Sequence, residues 1–345
     1  MTSAREVAQR AGVSVSTVSR ALQSPERVSA VTRERVVRAA RELGYRPDPV
    51  AQGLRLGRTR ALGLLVPDFE NPFFASVTKG VQARARAAGY AVFVADSDED
   101  GVAEPDLVAG LAERVDGLVL ASPRSTDRVV LGAVGDVPTV LVSREMPGLP
   151  SVSADDGDGM AQALGHLHAL GHRRVAVATG PESSWSGARR LAGAAQAAER
   201  FGVEVVELGS FAPHFSGGLV VADHVVASGA SALVAFNDLM ALGVLDRLAA
   251  RGVRVPQDVS VVGFDDVGVA TLVSPALTTV RQPLARLGRT AVDLLLARVE
   301  GTSAEPTGRP QDEVVRLPVE LVSRASTGVV REAGLPVPGA SEVHS

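Results

Sequence analysis

Two sets of side chains in this sequence have types and spacings that could do chemistry. The first is Val15, Ser16 and Arg20, on a short segment whose apolar members are Val18, Ala21 and Leu22. On a helix these three point away from the apolar stripe. There an arginine fork can meet guanine and a valine can meet the methyl of thymine. The second set follows a series of apolar runs: Asp68 and Asn71, Asp96 to Asp100, Ser143 and Arg144, Asn237 and Asp238, Asp265 and Asp266. In open α/β sheets ligands bind where strands end, so polar groups gathered there predict a cleft. Catalysis has no comparable signature. G-x-S-x-G, G-x-G-x-x-G, P-loop and H-E-x-x-H patterns are all missing. His168 and His172 are four apart on a helical stretch, but His166 lies off their face and no third ligand is suitably spaced. Imidazoles near a helix C-terminus more simply answer its dipole. The expectation is a binding protein, with no enzyme activity, metal or cofactor.

The elements that must position the first set are short helices. Ser3 and Glu6 have the spacing of a capping box, and Val7, Ala8 and Ala11 form a narrow apolar stripe that Gly12 ends. Ser14 caps a second helix from Val15 to Leu22. Ser29 caps a third from Ala30 to Leu43, with Val36, Val37, Ala40 and Leu43 inward and Gly44 as its stop. Two short helices joined at a glycine, closed by a third, make a helix-turn-helix. Beyond it, Val50, Ala51 and Leu54 suit one or two further helical turns, marginal alone. Pro49 is tolerated at a first turn, whereas Gly53 costs about 1 kcal/mol relative to Ala.

From Ala61 the pattern changes to strand-length apolar runs (Ala61–Pro67, Tyr90–Asp96, Asp116–Ala121, Thr139–Ser143, Arg174–Thr179, Val203–Leu208, Ala232–Phe236, Ser260–Phe264). Between them lie amphipathic stretches such as Ala75–Ala88, Gly159–Leu170, Arg189–Phe201, Met240–Arg251 and Leu284–Glu300. That alternation means parallel βαβ units.

Charge divides the chain the same way. Residues 1–60 hold 12 Arg against 5 acidic residues, and the remainder holds 23 basic against 34 acidic, so a head of +7 sits on a body of −11. Only the head is suited to phosphates. The chain has 345 residues, 46% hydrophobic, and no cysteine, which fits a reducing compartment. Met1 to Gln9 is polar, and no apolar run reaches membrane-spanning length. A cytoplasmic, nucleoid-associated protein is expected, not an exported transport binding protein.

The runs Arg5-Glu6-Val7-Ala8-Gln9-Arg10-Ala11-Gly12-Val13-Ser14, Thr17-Val18-Ser19-Arg20-Ala21-Leu22 and Glu42-Leu43-Gly44-Tyr45-Arg46-Pro47 resemble the lactose-repressor (LacI/GalR) family. The resemblance covers about Thr2 to Arg324. It implies an α/β chain: an all-α helix-turn-helix head over 1–46, a hinge helix and linker over 47–60, and a two-lobed, periplasmic-binding-protein-like body with parallel sheets over 61–324. Lobe 1 would take 61–157 and 284–312. Lobe 2 would take 158–283 and 313–324, with crossings near Asp155–Gly159, Gln282–Leu284 and Asp312–Val314. Residues 325–345, rich in Gly, Pro and Ser and without Leu heptads, are expected to form a disordered tail, leaving a homodimer rather than a tetramer.

The implied function is a transcription regulator, a repressor, of a palindromic double-stranded DNA operator. The DNA-binding set is Ser14, Val15, Ser16, Thr17, Ser19, Arg20, Ser29, Leu54 and Arg55, with Leu54 as a minor-groove wedge. The effector set is Asp68, Asn71, Phe74, Trp185, Arg190, Asn237 and Asp265. One of Phe73 and Phe74 is expected in the core, and Trp185 either faces the ligand or packs its loop. Asp265 should pair with Arg190 or with ligand donors, since a lone buried carboxylate is costly. Asp238 and Asp266 are expected to cap helices or bridge lobes. Aromatic faces beside planar forks favour a sugar, with a nucleoside or base as alternatives. Ser143 stands where the family usually has Asp.

Overall fold

The computed structural model describes residues 3–23, 27–45, 59–301 and 313–330, and the chain divides into two compact units between Arg60 and Ala61. The first unit contains α1 (Ala4–Ala11), α2 (Val15–Gln23) and α3 (Ala30–Glu42). The capping box forms: Ser3 Oγ accepts the Glu6 amide at 3.3 Å, and Glu6 Oε2 accepts the Ser3 amide at 2.8 Å. Gly12 ends α1 at φ 64°, a left-handed conformation that costs other residues roughly 1 kcal/mol or more. Ser14 Oγ takes the Thr17 amide at 3.1 Å and Ser29 Oγ that of Thr32 at 3.4 Å, opening α2 and α3. Val7, Ala8, Ala11, Val18, Ala21, Val36, Ala39 and Ala40 bury together. Arg10 forks onto Glu42 at 3.0 and 2.8 Å, tying the end of α1 to the end of α3.

The second unit runs β1 (Ala61–Val66), α4 (Pro72–Ala87), β2 (Ala91–Asp96), α5 (Glu104–Ala112), β3 (Gly117–Ala121), α6 (Asp127–Val134), β4 (Thr139–Val142) and β5 (Ser151–Ala154). It continues through α7 (Asp156–Ala169), β6 (Arg174–Thr179), α8 (Trp185–Phe201), β7 (Glu204–Ser210), α9 (Phe215–Ser228), β8 (Ala232–Val234), α10 (Asp238–Ala250), β9 (Ser260–Asp265) and β10 (Thr278–Arg281). Last come α11 (Leu284–Val299), β11 (Val314–Leu317) and β12 (Glu320–Val322). The strands form two six-stranded sheets, ordered β11-β5-β4-β3-β1-β2 and β12-β10-β9-β8-β6-β7. All pairings are parallel except β10 with β12.

Each sheet carries helices on both faces, which is why inner strands such as β1, β3 and β4 are buried at every residue. Along β1 the side chains alternate: Leu62, Leu64 and Val66 join α4 and α11 in one core, and Ala61 and Leu65 join α5 and α6 in another. In the second sheet the two cores are built with α9 and α10 on one face and α7 and α8 on the other. Edge strand β2, by contrast, alternates exposed and half-buried residues.

Two expectations are corrected. The third passage between lobes is not near Asp312–Val314, because β11 still pairs with β5 in the first sheet. The chain changes lobe at Pro318-Val319, between β11 and β12, so 313–317 belong to lobe 1. As an edge strand with only Leu317 buried, β11 lacks the apolar run that marks the inner strands. Nor does the packed chain stop at Arg324. Ser326 is fully buried, donating to the Val261 carbonyl at 2.6 Å and accepting the Thr278 amide at 2.8 Å. Val330 N reaches the Leu170 carbonyl at 3.0 Å. Short hydroxyl-rich segments read as loop in the sequence, yet here the Ser326 hydroxyl bonds backbone groups of two strands and that of Thr327 meets the His166 and Thr278 side chains at 2.9 and 3.0 Å. The remainder of the expected tail, 331–345, lies outside the described residues, as do Pro49, Gly53, Leu54 and Arg55 of the expected hinge.

Candidate functional site

In the first unit, Ser14, Ser16, Arg20 and Ser29 are exposed and Thr17 and Ser19 half-buried. Arg20 lies along α2: its Nε donates to the Ser16 carbonyl at 3.3 Å and its Nη2 approaches Ser16 Oγ at 3.4 Å. Ser14 Oγ meets both Ser16 Oγ and Thr17 Oγ1 at 2.8 Å. One surface therefore collects hydroxyls and a guanidinium, the groups that bond phosphates and base edges. Val15 differs from expectation. It is half-buried against the core of the unit instead of standing free.

In the second unit, the carboxyl ends of both sheets open onto one cavity. Lobe 1 contributes Asn71, Phe73 and Phe74 after β1, Glu99 after β2, Ser122 and Arg124 after β3, and Ser143 after β4. Lobe 2 contributes Ser184, Ser186 and Arg190 after β6, Pro213 after β7, Phe236 and Asn237 after β8, and Asp265 at the end of β9. Three helices begin here, and each is capped by its own lining residue. Asn71 Oδ1 accepts the Phe73 amide at 3.0 Å, Ser184 Oγ that of Gly187 at 3.2 Å, and Asn237 Oδ1 that of Met240 at 2.8 Å.

Arg190 is the most committed side chain of the cleft. Its Nε donates to Asp156 Oδ1 at 2.8 Å, Nη1 donates to the Phe236 carbonyl, and Nη2 stands 3.9 Å from Asp265 Oδ1. The guanidinium lies 3.7 Å from the centre of the Phe264 ring and 5.0 Å from that of Phe236. Burial pushes the Asp156 carboxyl above its ordinary range, opposed by the Arg190 charge. Asp265, fully buried, is raised well above that range by the same desolvation, again opposed by Arg190. Its Oδ1 accepts Gln282 Nε2 at 2.7 Å, and its backbone is strained at φ 116°.

Two neighbours keep this corner in shape. Asp238 is pushed up to about 7 by burial, with hydrogen bonds from Thr279 and the Val267 amide pulling the other way. Asp266 takes Arg281 and Arg324, residues just before the second passage between lobes and after the third.

Comparison with known proteins decides the matter. Residues 3–48 match the model for bacterial regulatory proteins of the lacI family, and residues 164–327 a periplasmic binding protein-like domain. The chain is 32% identical to the HTH-type transcriptional repressor CytR of Escherichia coli over 335 residues, 94% of this chain and 95% of the relative. It is 33% identical to the regulator DegA of Bacillus subtilis over 332 residues, 93% and 97% of the two chains. The chain belongs to the lacI family.

A solved relative, the lac repressor dimer bound to operator and the anti-inducer ONPF, superposes with a TM-score of 0.83 at 30% identity, covering 95% of this chain and 99% of that one. A CelR–cellobiose complex matches with a TM-score of 0.70 at 32% identity, covering 94% and 100%. This lacI-family chain is accordingly a DNA-binding transcription regulator, with a helix-turn-helix head and a body of two parallel-sheet lobes.

Of the expected effector set, Asn71, Phe74, Arg190, Asn237 and Asp265 line the cavity; Asp68 and Trp185 do not. Asp68 turns back onto the Glu70 amide at 2.6 Å, with its other oxygen 3.5 Å from His214 Nδ1 of the opposite lobe. Trp185 is the first residue of α8, half-buried, with the Arg189 guanidinium 5.7 Å from its ring centre. Both Phe73 and Phe74 are buried, edge to face at 4.9 Å, and both also line the cavity. The core and the wall are the same pair. Asn237 is already spent on its cap and on the Pro213 carbonyl, 2.8 Å from Nδ2. The expected Asp265–Arg190 pair is secondary to Asp156–Arg190, which the sequence reading missed although Asp156 lies within the expected crossing near Asp155–Gly159. Glu99 and Ser143 sat inside polar clusters already singled out, whereas Arg124 carried no signal of its own.

Proposed function

We propose that this chain is a repressor that reads a palindromic operator as a homodimer, and that a small uncharged molecule held between the lobes sets its operator affinity. A sugar is the favoured effector, with a nucleoside or base as the alternatives. The observation that carries the effector assignment is the convergence of strand ends from both lobes on one cavity rich in hydroxyls, amides and aromatic rings. A ligand touching both walls binds one lobe arrangement better than another, and only that difference can shift operator affinity. On the DNA side the reading rests on the exposed hydroxyls and Arg20 of α2, completed by Leu54 and Arg55. We assign the protein to the cytoplasm, associated with the nucleoid.

The test is operator selection from genomic fragments by the full chain, followed by fluorescence anisotropy on the selected site. Arg20→Ala should lose about 1–3 kcal/mol and relax the preference at one base pair, and Leu54→Ala should weaken binding without unfolding the head. Failure to enrich any palindrome at low salt would sink the proposal. Sedimentation at micromolar concentration should give a dimer, and a thermal-shift screen of sugars and nucleosides should identify the effector class.

A further inference from the structure

The cleft contains two arginines, and each already has a carboxylate. Arg124 is buried and forks onto Glu99, Nε to Oε2 at 2.6 Å and Nη2 to Oε1 at 2.8 Å, entirely within lobe 1. The loop that presents Arg124 is fixed independently. Glu104 Oε2 and Oε1 accept the amides of Arg124 and Ser125 at 2.7 and 3.0 Å, and Arg144 Nη1 donates to the carbonyls of Pro123 and Ser125 at 2.7 and 2.6 Å. Arg124 and Glu99 are thus a preformed pair, not a cation waiting for a partner.

In lobe 2, Arg190 is held by Asp156, with Asp265 as a second carboxylate at 3.9 Å and the Phe264 ring over its face. Besides Glu99, Arg124, Arg190 and Asp265, the other ten lining residues are uncharged. The three helix N-termini that open here, which would otherwise attract an anion, are stoppered by Asn71, Ser184 and Asn237. A neutral group of the wall is left without a partner: Ser143 Oγ is buried with no hydrogen-bond partner among the described residues. A hydroxyl both donates and accepts, which suits a ligand hydroxyl.

Resting on the effector-cleft reading above, we propose that the cleft takes an uncharged, hydroxyl-bearing ligand and rejects its phosphorylated counterpart, because Glu99 and Asp156 neutralise the two cations that the wall holds among the described residues. An anion entering would meet carboxylates at least as numerous as guanidiniums, in a setting where charge cannot be left unpaired.

The probe is inorganic phosphate, titrated into the full-length protein at constant ionic strength and read by thermal shift and calorimetry. Wild type should show no saturable binding up to about 10 mM, weaker than ordinary Arg–phosphate recognition would give. Glu99→Gln frees the Arg124 fork and should gain roughly tenfold or more in phosphate affinity. Glu99→Gln with Arg124→Met should lose that gain. Saturable phosphate binding by wild type, no gain in Glu99→Gln, or a gain that survives Arg124→Met would each overturn the proposal. Should Glu99→Gln fail to fold, the wild-type titration decides alone.

A second arm compares ribose with ribose 5-phosphate, glucose with glucose 6-phosphate, and uridine with its 5′-phosphate. Tighter binding of any phosphorylated member overturns the proposal. Operator binding by the same preparation is measured separately, so loss of the regulator reading would be seen independently of the charge of the cleft.

Discussion

Ser186 of lobe 2 donates its hydroxyl to the main-chain carbonyl of Ser143 in lobe 1, at 3.2 Å. This bond exists only while the lobes face each other, and the Asp68–His214 approach at 3.5 Å is of the same kind. Ser143 sits at φ 55°, so its carbonyl is aimed by an uncommon backbone conformation that the fold must hold. Removing one such bond costs about 1 kcal/mol of the apposed state. Ser186→Ala should therefore leave the unfolding midpoint nearly unchanged and weaken effector binding about fivefold, with a larger radius of gyration by small-angle scattering of the free protein. Scattering and affinity both equal to wild type would show that the contact holds nothing.

Arg190→Ala should be costly for a different reason. It leaves Asp156 and Asp265 buried with no guanidinium between them, and breaking such a pair from one side destabilises by about 3 kcal/mol. Because burial already favours the protonated form of both acids, the loss should shrink as the pH is lowered, since protonation removes the lone charges. Urea denaturation at pH 5 and pH 7.5 checks both points. Arg190→Lys should not restore the stability, since one ammonium cannot serve Asp156, the Phe236 carbonyl and the Phe264 face together.

Physical reasons separate what the sequence reveals about this molecule from what it conceals. The inner strands announce themselves because a parallel sheet covered on both faces must be apolar throughout, as in Ala61–Val66 and Gly117–Ala121. Ser151–Ala154 and Thr278–Arg281 escape the same reading because their buried hydroxyls look polar on paper: Ser151, Ser153, Thr278 and Thr279 are all fully buried. In the cleft, residues that end strands can be placed from sequence, since the strand fixes where its last side chain goes. What cannot be read is which partner a long side chain chooses. Arg190 reaching Asp156 and Arg124 reaching Glu99 are tertiary outcomes across 34 and 25 residues. Trp185 shows the converse. Its polar neighbours suggest an open loop, but Ser184 caps a helix there and commits Trp185 to the first turn of α8.

Gly263 is the next test. A Cβ there would fall inside contact distance of Asp238 Oδ1 and of Leu277, and Asp238 cannot retreat because Thr279 Oγ1 and the Val267 amide hold it at 2.5 and 2.8 Å. Gly263→Ala should cost about 1–3 kcal/mol by overpacking. Combined with Asp238→Ala, the cost should be less than additive, because the obstructing carboxylate has gone. Strict additivity of the two changes, measured by denaturant midpoints, would show that crowding is not the cause.

The pH dependence of the body should carry the mark of Asp238. Its folded value, about 7, lies above the ordinary 3.8, so between those values the folded chain keeps a proton that the unfolded chain releases. Stability from this group is full below about 3.8 and is lost as the pH rises to about 7, at no more than about 1.4 kcal/mol per pH unit. Asp156 and Asp265, also raised, act in the same direction. His166 and His172 oppose them. Burial lowers both, so their contribution is present above 6.5 and lost as the pH falls through their lowered folded values. His172 donates Nε2–H to the Gly328 carbonyl at 3.1 Å, and its Nδ1 meets Ser231 Oγ at 2.8 Å. Total slopes therefore partly cancel, and the informative quantity is the difference between wild type and Asp238→Asn. That difference should move steadily in favour of Asp238→Asn as the pH is raised from 4 to 7, because the amide has no proton to lose. A difference that stays constant over that window, by urea denaturation in matched buffers, would mean that Asp238 is ionised throughout and that the hydrogen bonds from Thr279 and Val267 outweigh its burial.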